Sequence, residues 1–430
     1  MQIESLESAE APLPRPRARH RGVLLLTALL FAFGLNVSVS FYLVLAGTFL
    51  VVLTFAYAYA NHVLGRLTCG RKIYHGAFEG EQVRVRVDIG NHGKLPVFLP
   101  EVCDHFTPDQ TSLKEVLAPI RLDPGKRCSR PYAGTCFRRR GTYKLGPMAV
   151  RVGDPLGLFE LEKPVEVPMD YFVYPGTFAV PRYPLAGHKV VFTTGYDAVP
   201  RSGQSQLYMG TREYRAGDEV RTIDWNATAR FGKMVVKEFE ADVDPEVTIF
   251  LDLDRKHAQG MGQRSTLETG VKIAASIALS CLGSRAFFQF VALGSRYHYL
   301  PFGSGDQHLI RMLDLLVHVK QDGAGSFGDF LVFTRDLVKQ NSTAFLIFTS
   351  NEIEPDKLAP VLAHYRSRNA RVYAVVLDDA SFIQWKQHLD LDTLLEMRNQ
   401  AIAYLQGEGC TVIPVDAEKD IEEEFRAAMA

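Results

Sequence analysis

The stretch REYRAGDEVRTIDWNATAR, residues 212–230, interleaves cations and anions with aromatic rings. Its candidate site residues are Arg212, Tyr214, Arg215, Asp218, Arg221, Asp224, Trp225 and Arg230. Guanidinium groups can form forked pairs with carboxylates, and Trp and Tyr each add a large apolar area with one polar group. These residue types could build a structural clamp, a docking surface for a partner, or an active site.

The spacing favours a clamp or a docking surface over an active site. Asp218, Arg221 and Asp224 recur at intervals of three, which predicts one shared helical face, and Asp218 follows a glycine as an N-cap residue would. The stretch contains no histidine or cysteine that could act as a base or nucleophile. We therefore expect a self-neutralising, buried network. Loss of Arg221, Asp224 or Trp225 should lower the melting temperature, whereas loss of an exposed Arg215 should affect docking only.

A metal-dependent hydrolase is a third possibility. Its groups would be Asp218, Asp224, Lys237 and Glu238, because carboxylates and a lysine can surround a catalytic metal ion. These groups are interleaved with arginines, and the net charge of −1 leaves no basic surface of the kind that binds nucleic acid. A hydrolase is thus the weakest reading, and no nucleic-acid partner is expected.

The C-terminal part of the chain predicts an α/β domain over residues 246–430. Apolar runs alternate there with amphipathic segments, which is typical of a doubly wound, mostly parallel sheet. The first run, VTIFLDLD, ends at Asp252 and Asp254. Ligands of such folds bind at the carboxyl ends of the strands, which makes these carboxylates binding candidates. Alternatively, they cap the N-terminus of a nearby helix.

Residues 70–175 predict a β-rich, sandwich-like domain. The segment EQVRVRVDIGN alternates apolar and charged residues with period two. Turn signals such as Asp123-Pro124-Gly125 separate this strand from others of similar length. Residues 176–245, which contain the signature stretch, are predicted to link or clamp this domain to the α/β domain.

The N-terminal part predicts a membrane anchor. Residues 1–20 form a charged, proline-containing arm that we expect to be disordered. No charged residue lies between Gly22 and Asn61, a run about twice the ~20 residues that one membrane-spanning helix needs. The polar break GLNVSVS at 34–40 therefore predicts two transmembrane helices within residues 21–61. A signal peptide followed by one span is the alternative.

Charges on both sides of this run predict the orientation. Four arginines precede the first helix (Arg15, Arg17, Arg19, Arg21), and Arg66, Arg71 and Lys72 follow the second. Basic flanks remain in the cytoplasm, so we expect a multi-pass inner-membrane protein with both termini and the large domains in the cytoplasm. Tyr57 and Tyr59 are suited to the membrane–water interface. Six scattered cysteines without metal-ligand spacing are expected to be reduced, mostly buried thiols.

Four stretches in order give the chain a family resemblance. They are residues 139–159 (RRGTYKLGPMAVRVGDPLGLF), 174–176 (YPG), 212–240 (REYRAGDEVRTIDWNATARFGKMVVKEFE), and a strand ending in an acidic run at Asp252. The chain resembles the bacterial family known as domain of unknown function fifty-eight. The resemblance implies a C-terminal von Willebrand factor A-like domain and frequent association with MoxR-type AAA+ ATPases. It implies no catalytic activity.

Von Willebrand A domains often hold Mg²⁺ through an Asp-x-Ser-x-Ser run, a loop threonine and a later aspartate. Here the run corresponds to residues 252–256, in which Asp254 and Lys256 replace both serines. Ser326 corresponds to the threonine and Asn351 to the later aspartate. The degenerate candidates are thus Asp252, Asp254, Ser326, Ser350 and Asn351. We expect metal binding to be lost, with Lys256 as a cation at the site, and we expect no cofactor.

Three functions from different classes follow. We favour a non-enzymatic, membrane-anchored scaffold or adaptor that docks a protein partner, and the resemblance implies that this partner is a MoxR-type AAA+ ATPase. The alternative is a metal-dependent binding module with a degenerate metal site. A metal-dependent hydrolase comes last.

Overall fold

The computed structural model describes residues 20–37, 40–74, 76–117, 119–166, 169–185, 188–190, 208–218, 220–239, 241–243, 245–383 and 391–429. These residues belong to two compact units, Met1–Tyr174 and Pro175–Ala430. Most of the N-terminal arm, for which disorder is predicted, lies outside the described residues.

The first unit begins with two apolar helices, α1 (His20–Val37) and α2 (Ser40–Gly65). The rings of Phe33 and Tyr42 pack edge to face with centroids 5.0 Å apart. Gly34 allows close approach, since a Cβ added there would lie 3.0 Å from Leu43 Cδ2. By length and composition, α2 could cross a membrane, whereas the apolar part of α1, Arg21–Asn36, is shorter.

Twelve strands follow the helices and confirm the predicted β-rich region. They are β1 (Leu67–Lys72), β2 (Gly76–Phe78), β3 (Gln82–Asn91), β4 (Val97–Phe98), β5 (Glu101–His105), β6 (Leu113–Leu117), β7 (Arg121–Leu122), β8 (Arg127–Thr135), β9 (Gly141–Leu145), β10 (Met148–Gly153), β11 (Glu160–Glu166) and β12 (Met169–Tyr174). The described strands form sheets in the orders β1-β3-β8, β11-β10-β5-β6, β2-β12-β9 and β4-β7.

The core of this unit joins the sheets to the end of α2. The valines of β3 are buried and its arginines exposed, as the alternating pattern predicts. Val87 of β3 lies in one apolar cluster with Val102 of β5, Val150 of β10, and Val63 and Leu64 of α2. The last turns of α2 are therefore part of the β core.

One ion pair lies inside this core. The side chains of Arg71 and Asp104 have no solvent-exposed area. Arg71 donates to both carboxylate oxygens, one of them through Nε at 2.9 Å. The Tyr132 hydroxyl donates to Asp104 Oδ2 at 2.6 Å. The carboxylate thus exchanges its water for three protein donors, which burial of a charge requires.

The second unit contains twelve further described strands. They are β13 (His188–Val190), β14 (Tyr208–Glu213), β15 (Val235–Phe239), β16 (Ala241–Val243), β17 (Glu246–Leu251), β18 (Gly260–Met261), β19 (Arg264–Ser265), β20 (Phe287–Leu293), β21 (Tyr297–Gly303), β22 (Thr343–Phe348), β23 (Arg371–Leu377) and β24 (Thr411–Val415). Its helices are α3 (Trp225–Phe231), α4 (Thr266–Gly283), α5 (Asp306–His318), α6 (Phe327–Thr334), α7 (Pro355–Ser367), α8 (Asp379–Phe382), α9 (Leu391–Gly407) and α10 (Ile421–Met429), with 3₁₀ turns at Val220–Thr222, Arg255–His257 and Arg335–Leu337.

A six-stranded sheet forms the centre of this unit, in the order β21-β20-β17-β22-β23-β24. All neighbours are parallel except β21, which is antiparallel to β20. Numbered along the chain, the order is 3-2-1-4-5-6, a doubly wound order whose direction reverses between β17 and β22. The predicted α/β architecture with a mostly parallel sheet is confirmed, and the reversal point places the carboxyl ends of β17 and β22 side by side.

Candidate functional site

The signature stretch lies between two paired strands. β14 and β15 are antiparallel, and the pairing continues where Tyr214 N–H donates to the Met234 carbonyl at 2.8 Å. The chain returns to β15 through Asp224, whose N–H donates to the Val235 carbonyl at 2.8 Å. The intervening segment, with its 3₁₀ turn and α3, is thus fixed at both ends by backbone hydrogen bonds.

A forked ion pair closes the first half of this segment. The two terminal nitrogens of Arg212 each lie 2.7 Å from a different oxygen of Asp218. The backbone N–H of Arg215 also donates to Asp218 Oδ2, at 2.8 Å. The hydrogen bonds from Arg212 and then from Arg215 lower the pKa of Asp218 to about 2. Arg212 and Asp218 therefore form one pair of the network that the sequence predicts, to which Arg215 adds its backbone N–H.

Asp224 begins α3. Its Oδ1 accepts the N–H groups of Asn226 at 3.1 Å and Ala227 at 3.0 Å, so Asp224 is the N-cap. Gly232 ends the helix in a left-handed conformation, φ +67°, and donates its N–H to the Thr228 carbonyl. Both ends of this seven-residue helix have capping hydrogen bonds.

The prediction of one helical face for Asp218, Arg221 and Asp224 is wrong. The chain forms a turn, then the 3₁₀ turn Val220–Thr222, and only then α3. Asp218 lies at the end of the turn that begins at Arg215, its carboxylate accepts the Arg215 N–H, and the N-cap is Asp224 instead. A spacing of three does not distinguish a helix from a succession of short turns.

The remaining signature residues lie at the surface. Trp225 is 63% exposed and Phe231 67% exposed, and Arg221 and Arg230 form no ion pair with the acidic side chains that the structure describes. Tyr214 is half-buried. We call the exposed residues on and beside α3 the α3 patch: Val220, Arg221, Trp225, Arg230, Phe231 and Met234. The sequence predicts that Arg221 and Trp225 are buried. This prediction is wrong, because both side chains are exposed.

A second polar cluster lies at the carboxyl ends of β17 and β22, where the sequence predicts a site. Asp252 is buried and its Oδ2 accepts the Thr349 hydroxyl at 2.8 Å. Thr349 N–H approaches the same oxygen at 3.4 Å, and Asp254 N–H donates to Oδ1 at 2.9 Å. Hydrogen bonds to the Asp252 carboxylate thus join the carboxyl ends of β17 and β22.

His257 occupies the remaining position on this carboxylate. Its Nδ1 lies 2.7 Å from Asp252 Oδ2. Burial disfavours the charged imidazolium, but the hydrogen bond and the negative charges of Asp252, Asp254 and Glu352 outweigh burial and raise the pKa of His257. The His257 ring therefore occupies one side of the Asp252 carboxylate at this edge of the sheet.

Two further polar side chains close the cluster. Gln321 Nε2 donates to Thr349 Oγ1 at 3.0 Å, and Gln321 Oε1 lies 3.3 Å from Thr266 Oγ1. The Thr266 hydroxyl also lies 3.0 Å from the His257 carbonyl. We call Asp252, His257, Thr266, Gln321 and Thr349 the Asp252 cluster.

The side chains of the other predicted metal candidates form their described hydrogen bonds away from Asp252. Asp254 Oδ1 accepts Lys256 N–H at 3.0 Å and caps the 3₁₀ turn, which is the alternative role the sequence suggests. The side chain of Lys256 is exposed and the His257 ring contacts Asp252 instead, so the prediction that Lys256 brings a cation to the site is wrong. Ser326 caps α6 and donates to Glu354.

Asn351 and Ser350 complete the loop after β22. Asn351 Nδ2 donates to Asp378 Oδ1 at 2.9 Å, and Arg398 pairs with the other oxygen of Asp378 at 3.0 Å. Ser350 Oγ accepts Glu352 N–H at 3.1 Å. Within the described ranges, no group of three or more His, Cys, Asp or Glu side chains is arranged to hold a metal ion.

The structure does not bring the four groups of the predicted hydrolase site together either. Asp218 is paired with Arg212, and Asp224 caps α3. Lys237 is exposed, and the side chain of Glu238 lies outside the described residues. His257 and Asp252 resemble two members of a catalytic triad, but in the part of the chain that the structure describes no serine or cysteine side chain contacts the other ring nitrogen of His257.

Sequence reasoning missed four members of the Asp252 cluster. Thr349 directly follows β22, so the rule for parallel strand ends could have identified it. His257 lies five residues beyond Asp252, and only the 3₁₀ turn brings its ring back to the carboxylate. Gln321 and Thr266 lie on segments that carry no local signal for a site.

Residues 210–380 match the family model described as Protein of unknown function DUF58. The matched range contains the α3 patch and all of the Asp252 cluster. Over these residues, the predicted resemblance is confirmed.

Two bacterial relatives have similar sequence identities to this chain. The Bacillus subtilis (strain 168) protein "Uncharacterized protein YeaD" is 29% identical over 185 residues, which are 43% of this chain and 44% of the relative. The Mycobacterium tuberculosis (strain ATCC 25618 / H37Rv) protein "Uncharacterized protein Rv1480" is 30% identical over 123 residues, 28% of this chain and 39% of the relative. Each match spans less than half of the relative's length.

Solved structures show only remote likeness. Proximal thread matrix protein 1 from the mussel byssus gives a TM-score of 0.29 at 12% identity, covering 44% of this chain and 47% of that one. The CARDB domain of PF1109 from Pyrococcus furiosus gives a TM-score of 0.18 at 17% identity, covering 25% of this chain and 94% of that one. Neither likeness is close enough to assign a fold.

Proposed function

Because residues 210–380 match the family model of unknown function DUF58, we propose that the protein is a non-enzymatic, membrane-anchored scaffold or adaptor whose second unit docks a protein partner. The partner that the resemblance implies is a MoxR-type AAA+ ATPase. The second unit would have a von Willebrand factor A-like fold, and its mostly parallel sheet with acidic residues after the first strand supports this assignment.

The observation that carries the proposal is the exposure of the α3 patch. Trp and Arg are enriched among the residues that dominate binding energy at protein interfaces, and large rings there fill pockets of the partner. Trp225 and Phe231 point their apolar area at solvent, with Arg221 and Arg230 beside them.

The support beneath the patch is rigid, which favours binding. The Arg212–Asp218 fork, the Asp224 cap and the Gly232 C-cap fix α3 on the β14–β15 hairpin. Since association loses free energy when it must order a flexible segment, a helix fixed beforehand binds a partner more tightly. The charged residues of the signature would then hold the patch in place rather than react.

The membrane anchor would be the pair α1 and α2, with both helices crossing the inner membrane and both large units in the cytoplasm. α2 has the necessary length and composition, and α1 packs against it. At 1.5 Å per residue, the 18 residues of α1 reach about 27 Å. That is slightly less than the ~30 Å hydrocarbon core, so local thinning of the bilayer would accompany the crossing.

A metal-dependent binding module is the alternative function. Four donor groups already surround the Asp252 carboxylate, namely His257 Nδ1, the Thr349 hydroxyl, and the backbone N–H groups of Thr349 and Asp254. A divalent cation would have to displace the His257 imidazole and rearrange the cluster. This disfavours the alternative, and it supports a docking function that needs no ion.

Capture of the full chain from bacterial membranes tests the proposal. The detergent-solubilised protein is purified with ATP present, and the co-purifying proteins are identified by mass spectrometry. The wild type should retain a MoxR-type AAA+ ATPase, and Phe231→Ala should lose it because the substitution removes an anchor of the patch.

Phe333→Ala is the matched control, since Phe333 is another exposed phenylalanine of the same unit, 85% accessible on α6. It should retain the ATPase. Failure of the wild type to retain any AAA+ ATPase, or an equal loss in both variants, would contradict the proposal.

A further inference from the structure

Large apolar side chains are exposed at one end of the first unit. They are Leu95, Leu99, Leu117, Ile120 and Leu156, which we call the apolar loop cluster. Ile120 is 76% and Leu117 69% exposed. The Leu99 N–H donates to the Ile120 carbonyl at 2.9 Å, and Leu117 is paired across from Glu101, two residues beyond Leu99. Soluble proteins rarely expose several such side chains together unless something covers them.

This cluster lies beside α2. The Tyr59 hydroxyl of α2 donates to the Pro96 carbonyl at 2.5 Å, which fixes the loop of Leu95 and Leu99 against the helix. The Tyr57 ring packs edge to face on Phe159 at 5.5 Å. Positions two apart on a helix point in directions about 200° apart, so the two loops lie on different sides of α2.

The second loop is rigid and presents Leu156 outward. Asp154 accepts the N–H groups of Leu156 at 2.8 Å and Phe159 at 2.6 Å. Gly157, with φ +66°, permits the tight turn between them. Leu156 therefore stays exposed next to the Phe159 contact with α2.

The length of α2 sets the depth of these loops. The helix has 26 residues, about 39 Å, whereas about 20 residues suffice for the hydrocarbon core. Counted from Ser40, such a span ends near Tyr59. Beyond it, Ala60, Val63 and Leu64 are buried in the β core. The loops that contact Tyr57 and Tyr59 thus lie at the level where the bilayer surface would be.

Two further features of the loops suit a membrane surface. Leu99 is a non-glycine residue with φ +45°, an unfavourable backbone conformation at an exposed leucine. Arg66 packs beside Gly93, since a Cβ added to Gly93 would lie 3.2 Å from Arg66 Cβ. Arg66 and Lys94 are both exposed. Cations next to apolar side chains match anionic lipid headgroups above acyl chains.

We infer that the apolar loop cluster inserts into the surface of a phospholipid bilayer on two sides of α2. The first unit is then held by two loops in addition to the membrane anchor, so it cannot rotate freely about α2. This inference rests on the proposed membrane anchoring by α2, but not on the proposed partner.

The opposite end of the unit provides the control position. β3 runs ten residues from Gln82 to Asn91, roughly 30 Å. Asn91 binds the Leu95 carbonyl at the loop end, while Gln82 pairs with Thr135 at the other. Phe137, two residues beyond Thr135, is 48% exposed and should face water.

Collision measurements on spin labels test the inference. The full chain is placed in nanodiscs of phosphatidylethanolamine and phosphatidylglycerol, with a nitroxide on Leu99→Cys, Ile120→Cys, Leu156→Cys or Phe137→Cys. The unsubstituted chain corrects for labels on its six native cysteines, four of which are buried. The three loop labels should collide with oxygen, relative to a water-soluble nickel chelate, several-fold more often than the Phe137 label.

Three results would overturn the inference. Loop labels as open to the nickel chelate as Phe137, on a chain that still requires detergent for extraction, would refute insertion and leave the anchor intact. Loop labels shielded from both reagents would indicate a protein partner or a second copy over the cluster. A chain that leaves the membrane without detergent would refute the anchor itself.

Discussion

At the residue scale, the pairing of His257 with Asp252 predicts a pH-dependent stability. The pKa of His257 is raised in the folded state, so its stabilising effect is complete below the ordinary histidine pKa of about 6.5. The effect is lost as the pH rises through the raised value. The melting temperature of the wild type should therefore fall as the pH is increased above about 6.5, and His257→Gln should reduce this fall.

His318→Gln is the control for this measurement. His318 lies at the exposed end of α5, and its Nδ1 contacts the Asp314 carbonyl at 2.9 Å. It should leave the pH profile of melting unchanged. If His257→Gln follows the wild-type profile at every pH, then the imidazolium does not stabilise the Asp252 cluster.

At the scale of elements, the buried Arg71–Asp104 pair joins β1 to β5. Asp104→Ala would leave the Arg71 guanidinium without solvent and without its carboxylate, which typically costs about 3–5 kcal/mol. Denaturant unfolding of the full chain in detergent should show a loss of this size in the first unit. Asp123→Ala breaks the exposed Arg121–Asp123 pair of the same unit and should cost less than about 1 kcal/mol. Equal losses would contradict the buried-pair account.

Local patterns predicted the elements, because burial on one face leaves a periodic trace in the sequence. The alternation in β3 and the apolar run of β17 show this directly. The Arg71–Asp104 pair could not be predicted, since its members lie 33 positions apart and only the sheet register brings them together.

The candidate sites show the same limit. The Arg212–Asp218 pair was predictable from charge and proximity in sequence. The exposure of Trp225 was not, because a tryptophan beside charged residues fits a core and an interface equally well. His257 reaches Asp252 through a 3₁₀ turn whose direction no spacing rule specifies.

At the scale of the whole molecule, the proposed anchor predicts the position of the C-terminus. Arg66 and Lys72 are exposed after α2, whereas Arg71 is buried, so Arg71 adds nothing to the surface charge that sets orientation. A phosphatase or fluorescent reporter fused after Ala430 should report the cytoplasm. A periplasmic signal would show that the hairpin orientation is reversed or that α1 does not cross the membrane.

The central claim is that the α3 patch docks a partner and that the charged residues beneath it are structural. The affinity of the purified ATPase for the full chain, measured beside the melting temperature, separates these roles within one helix. Trp225→Ala should weaken binding at least about tenfold, as loss of an interface anchor does, and leave melting unchanged. Asp224→Ala should lower the melting temperature through loss of the cap, about 1 kcal/mol. If Trp225→Ala instead lowers the melting temperature, or binds the ATPase as tightly as the wild type does, the α3 patch is not a docking surface.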